Sequence, residues 1–187
     1  MRFECTKCGD CCRQRELLVT LTGTDLSRLS IALGLSARDL LAATDFYILS
    51  SNQPVPEGLR QIPQVNTEQG PAFVALKKEQ NGDCVFLKDN LCMIHVARPS
   101  VCAAFPFVFE RKGRDMSWGL NAMKAICPGL GTGREVRDAE LVHLGSRTLN
   151  DLSLFRGFVE VWNKTTKVPT ALGFLESVLK DRRFSVQ

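Results

Sequence analysis

The sequence has no apolar run near the roughly 20 residues needed to cross a bilayer, so no membrane span is expected. It holds two histidines, His95 and His143, in 187 residues. General acid–base catalysis therefore has little of its usual machinery. There is no Ser–His–Asp order, no H-E-x-x-H and no pair of carboxylates spaced for catalysis. No dense block of Lys and Arg accompanies the formal charge of +4, so an electrostatic footprint for nucleic acid is missing. Repeats and low-complexity segments are missing too. The amino-terminal MRFECTKCGD carries no apolar signal core, and the expected compartment is cytoplasmic.

Sulfur is what the chain has in quantity. There are eight cysteines, and in a reducing compartment dense, spaced cysteines bind metal more often than they pair as disulfides. Four of them, Cys5, Cys8, Cys11 and Cys12, crowd into C-x2-C-x2-C-C. Adjacent Cα atoms lie about 3.8 Å apart, less than the ~4.4–6.8 Å of a relaxed disulfide. Cys11 and Cys12 are poor partners for each other. Cys84, Cys92, Cys102 and Cys127 are scattered through the middle of the chain, the last followed by Pro128. Ferredoxin-type sites use C-x2-C-x2-C with a C-P cysteine, so one candidate set is Cys5, Cys8, Cys11 and Cys127. In an extended backbone, neighbouring side chains point to opposite sides. Cys12 would then turn away from Cys11 and join Cys84, Cys92 and Cys102 in a second set. One polynuclear centre using most of the sulfurs is the other partition. Eight thiolates balanced by two cluster cores of about +2 each would bring the net charge near zero.

The remaining pattern is α+β, a cysteine-rich metal-binding core with short antiparallel strands, flanked by N-terminal and C-terminal helices. Leu26, Leu29 and Leu33 predict one helix, stopped at Gly34. Ser36 with Asp39 caps a second, carrying Leu40, Leu41, Thr44, Tyr47 and Ile48 on one side. The pair reads as packing helices or as a DNA-binding helix–turn–helix. Residues 50–71 read as loop. Two apolar runs flank Asn81-Gly82, a hairpin signal. Phe105, Phe107 and Phe109 recur at period two before a turn at Gly113. Gly129, Gly131 and Gly133 follow no βαβ strand and read as a flexible turn. From Arg134 the period is helical, with one stripe of Leu152, Phe155, Val159 and Trp162. A second stripe, Ala171, Phe174, Leu175, Val178 and Leu179, follows the cap Thr170. We expect a metal-binding domain over residues 1–133 and a packing helical segment over 134–187.

Phe3-x-Cys5-x-x-Cys8-Gly9-x-Cys11-Cys12 resembles the signature of the CxxCxxCC family of zinc- or iron-chelating domains, the YkgJ-like cysteine-cluster proteins. The likeness continues through GDCVFL (82–87), LCMIH (91–95), RPSVCAAFPF (98–107) and CPG (127–129). At one position where family members often carry Tyr, this chain has His95. The resemblance implies a metal-chelating domain and a distant relation to flagellin lysine N-methylases, a protein-modifying enzyme class. Iron–sulfur clusters, 4Fe-4S by the spacing, are the expected cofactor. Zinc in closed cysteine sites is the alternative. A redox or other protein partner is expected in the first case, a zinc-stabilised interaction module in the second. His95, three residues beyond Cys92, is a further candidate ligand. Arg98 either ends a helical turn or offsets thiolate charge. Phe86, Phe105 and Phe107 either shield a cluster from water or are plain core.

Overall fold

The computed structural model describes residues 1–50, 54–122 and 124–185. Strand β1 (Arg2–Phe3) opens the chain, and the cysteine loop that follows contains one tight 3₁₀ turn, Asp10–Cys12. Helix α1 (Gly23–Leu33) starts at a capping box between Thr22 and Asp25 and stops at Gly34, whose φ of 65° closes the last turn. Helix α2 (Ala37–Ala43) has the expected box from Ser36 and Asp39.

Here the expected second helix is cut short. Thr44 leaves the helical region, its hydroxyl donating to the Leu40 carbonyl (2.8 Å). The chain then runs on as β2 (Thr44–Tyr47). The run Thr-Asp-Phe-Tyr suits a pleated surface, and its pairing partner is β4, so the tertiary contact overrides the helical period. Tyr47 and Ile48 are exposed. The expected loop also contains structure: β3 (Val65–Thr67) and the start of β4 (Gly70–Leu76) lie inside it, while residues 51–53 lie outside the described residues. The antiparallel order is β2-β4-β3, with Phe46 opposite Val74 and Val65 opposite Ala72. Flanked on both sides, β4 is buried from Ala72 to Leu76.

Beyond β4, the Asn81-Gly82 turn closes a short irregular hairpin with a single bridge, Lys78 to Cys84. A regular ladder does not form because the Cys84 N–H donates to the Cys12 carbonyl (2.9 Å). Strands β5 (Leu87–Lys88) and β6 (Leu91–Cys92) form a hairpin over Asp89 and Asn90, at φ 49° and 64°. Two left-handed residues in a two-residue loop match the right-handed twist of the strands. Helix α3 (Ser100–Ala104) follows. Strands β7 (Phe107–Lys112) and β8 (Asp115–Leu120) pair across the expected turn at Gly113. Phe107 and Phe109 share a strand face as expected, whereas Phe105 belongs to the end of α3.

The glycine-rich stretch is a strand rather than a flexible turn: β9 (Leu130–Glu135) pairs with β1. The following helix therefore starts later than Arg134. It is α4 (Asp138–Thr165), and α5 (Ala171–Lys180) begins where Thr170 accepts from the Gly173 N–H.

Two cores result. The larger packs Leu26 and Leu29 of α1, Val74 and Leu76 of β4, Phe155, Val159 and Trp162 of α4, and the α5 residues around Phe174. Phe174 is fully buried and meets Phe46, Phe155, Phe158 and Trp162 edge-on, with ring centroids 5.4–6.2 Å apart. The smaller core gathers Phe107, Val136 and Leu141, with Phe3, Phe109 and Trp118 against them. Phe86 packs on the larger core and Phe107 sits in the smaller, which is their core reading. No described helix is long and apolar enough to cross a membrane.

Candidate metal centre

The cysteine loop is shaped by its own backbone. Lys7 (φ 57°) and Gly9 (φ 77°) are left-handed, and the Cys12 N–H donates to the Gly9 carbonyl (2.9 Å). A Cβ on Gly9 would stand 2.8 Å from the Asn90 carbonyl and 3.0 Å from Leu87. Only glycine lets the loop lie this close to the β5–β6 hairpin that carries Cys92. Arg13 strengthens the junction, donating to the Cys8 carbonyl (3.2 Å), to Asp10 (3.2 Å) and to Asn90. Lys78, from the end of β4, donates to the carbonyls of Gln14 (3.1 Å) and Cys12 (3.4 Å). The Glu4 N–H donates to the Gly129 carbonyl (3.3 Å), laying the residues before Cys5 along the Cys127 segment.

All eight thiols are free. Cys84 and Cys127 are buried and Cys5 is exposed. Cys12, Cys92 and Cys102 pack with Cys84 on the larger core. Charge on Cys5, Cys8 and Cys11 bears on Cys127, and charge on Cys11, Cys84 and Cys92 bears on Cys102. Cys12, Cys84, Cys92 and Cys102 thus share the larger core.

The adjacent pair departs from expectation. Cys11 and Cys12 lie in the 3₁₀ turn, not in extended backbone. The neighbouring thiols of Cys11 and Cys92, then burial, push the Cys12 thiol up. Accepting from Cys12 lowers Cys11 to about 7 and Cys92 to about 6. Burial is the main cause pushing Cys84, Cys102 and Cys127 up.

Three sulfurs accept a backbone N–H from two residues on: Cys84 from Phe86, Cys92 from Ile94, and Cys127 from Gly129. Backbone donors fixed on a sulfur favour its thiolate form. This recurrence is a signal that spacing alone does not carry.

At the exposed edge, Arg98 Nη1 lies 2.6 Å from His95 Nε2 and 4.0 Å from Cys5 Sγ. A guanidinium only donates, so His95 Nε2 accepts, and the ring is neutral with its proton on Nδ1. Burial, then Arg98 and Lys7, hold the imidazole below its ordinary value. The lone pair needed for His95 to bind metal is already engaged. His143 is exposed on α4.

These donors suit a thiophilic ion in kind and neighbourhood. Among the described residues no group of three or more His, Cys, Asp or Glu stands at metal-holding distances.

A family model covers residues 4–128, two-thirds of the chain, under the description "Putative zinc- or iron-chelating domain". The chain belongs to the CxxCxxCC family. No curated protein and no solved structure matches it. For this CxxCxxCC chain the match spans Cys5 to Cys127, and so takes in every thiol described above.

Proposed function

We propose that this CxxCxxCC domain holds iron as an iron–sulfur centre drawing on most of its eight cysteines. In this reading it serves in electron transfer or as an accessory to a metalloenzyme. The observation that carries the reading is the continuity of the sulfurs. Cys12, Cys84, Cys92 and Cys102 pack on one core, and the turn that brings Cys12 there carries Cys11 beside it. A structural zinc ion takes four ligands in a closed tetrahedron, and eight free thiols are more than one such ion uses. An iron–sulfur centre would supply one-electron redox chemistry.

The chain's own groups support it in three ways. The N–H groups of Phe86, Ile94 and Gly129 stabilise thiolate charge at Cys84, Cys92 and Cys127. Arg98 and Lys78 place positive charge beside the sulfurs, Arg98 at Cys92 and Cys11 and Lys78 at Cys84. The cores beneath Cys84 and Cys102 exclude water from one side. Exposed Cys5, with the exposed apolar residues Leu91, Met93 and Val96 flanking Cys92 and His95, offers the edge at which a redox partner would approach.

Protein purified without oxygen should be brown, with iron and acid-labile sulfide in near-equal amounts. Colourless protein carrying zinc and no sulfide would leave a zinc-stabilised interaction module and sink the redox reading.

A further inference from the structure

The N3 carboxylate of a capping box ordinarily serves its own helix. Asp25 does more. Its Oδ2 accepts from the Thr22 N–H (3.0 Å) and hydroxyl (2.9 Å), which completes the box on α1. Its Oδ1 turns to another part of the chain and accepts from the Ser100 N–H (2.8 Å), the Ser100 hydroxyl (2.9 Å) and Arg28 (3.3 Å). The same Arg28 nitrogen donates to the Arg98 carbonyl (3.3 Å). Asp25 is 1% exposed.

Helix α3 has five residues, too few to hold a helix by local bonding alone. Its first N–H is tied to a buried charge on α1, and Arg28 grips the carbonyl two residues earlier. Between them these bonds fix the stretch from Arg98, whose guanidinium faces Cys5 and His95, to Cys102, which packs on the larger core beside Cys84 and Cys92. A buried carboxylate is costly unless it is paired and fully hydrogen-bonded. A cap on α1 alone would need only Oδ2.

We propose that Asp25, assisted by Arg28, is a positioning residue of the metal centre: through Ser100 it sets Cys102 and Arg98 against the other thiols. The proposal rests on the reading of Cys102 as a metal ligand. It assigns Asp25 no contact with metal; it acts through α3.

The two oxygens of Asp25 allow the test, on the full chain kept reduced. Ser100→Ala weakens the Oδ1 side, Thr22→Ala weakens the Oδ2 side, and Asp25→Ala removes both. One readout needs no metal, the iodoacetamide alkylation rate of Cys102 measured against Cys127 by peptide mass spectrometry. The other is titration with Co²⁺, followed by its thiolate charge-transfer band. Ser100→Ala and Asp25→Ala should raise Cys102 alkylation about tenfold, the ratio expected when one hydrogen bond to a charged group is lost. Both should weaken the Co²⁺ band. Thr22→Ala should lower the thermal midpoint and leave both readouts at their wild-type values. If Asp25→Ala does not fold, the Ser100→Ala and Thr22→Ala pair carries the comparison. Equal effects of those two on Cys102, or no effect of either, would overturn the proposal. Wild-type protein that takes up no Co²⁺ overturns the metal reading instead, and the alkylation contrast then still decides whether Asp25 places Cys102.

Discussion

Gly129 sits where the two ends of the cysteine region meet, and replacing it with alanine tests that junction. A Cβ there would stand 2.1 Å from the Glu4 carbonyl oxygen and 3.1 Å from its carbon, against 3.4–4 Å for ordinary contact. The obstacle is backbone, so no side-chain rotation relieves it. Either the Cys127 segment or the residues before Cys5 must shift. Overpacking of this kind costs about 1–3 kcal/mol. Separation of β1 from β9 would add about 1 kcal/mol for each hydrogen bond lost, beginning with the Glu4 N–H to the Gly129 carbonyl. We expect Gly129→Ala to destabilise the chain by about 2–4 kcal/mol, a large share of the ~5–15 kcal/mol of a typical domain. Gly131→Ala is the control. Its φ of 81° strains an alanine, yet nothing lies within 4 Å of its Cβ. Strain alone predicts about 1–2 kcal/mol there. Urea denaturation of the two variants and wild type gives the comparison, and Cys127 alkylation should rise in Gly129→Ala only. A Gly129→Ala protein within about 0.5 kcal/mol of wild type, inside the range of an inconsequential surface change, would refute the close approach.

Three further outcomes are expected. Phe174→Ala removes a fully buried ring with four aromatic neighbours and should cost about 3–5 kcal/mol; a loss of unfolding free energy in urea under half that size would mean the core refills. In chelator-treated, reduced protein, alkylation of Cys92 and Cys11 should rise with pH through midpoints of about 6 and about 7, since the thiolate is the nucleophile. Cys12→Ala takes away the donor that lowers both, so both midpoints should move up toward the ordinary 9.0; midpoints left in place would show that Cys12 is not the cause. With Arg98→Ala, His95 loses its Nε2 donor and a nearby positive charge that helps hold its pKa down, so its NMR titration should move to higher pH.

What the sequence made legible was largely local. The Ser36–Asp39 box, the stop at Gly34, the α5 stripe behind Thr170 and the turn at Gly113 all depend on residues within a few positions of one another, and they stand where expected. The misreadings have a common source. Thr44 to Tyr47 carry a helical period but are taken by β4 from thirty residues away. Leu130 to Glu135 look like a flexible turn until β1 pairs with them across the length of the cysteine region. At the site, the family was readable from the spacing of the cysteines. The tight turn at Cys11 and Cys12 was not, because a 3₁₀ turn and an extended strand read alike as letters. The reach of Lys78 to Cys12 and of Asp25 to Ser100 gave no local sign, since each spans more than sixty residues.

The pairing of β1 with β9 also has a consequence during synthesis. Strand β9 (Leu130–Glu135), the partner of β1, is made more than 120 residues after Cys5. At about 5–20 residues per second on the ribosome, the C-x2-C-x2-C-C loop spends on the order of ten seconds without its partner segment. Through that interval its four thiols are open to oxidants and to whatever ions the compartment offers. The order of translation, as much as the finished architecture, thus makes this loop the part of the nascent chain most in need of a chaperone or a reducing surrounding.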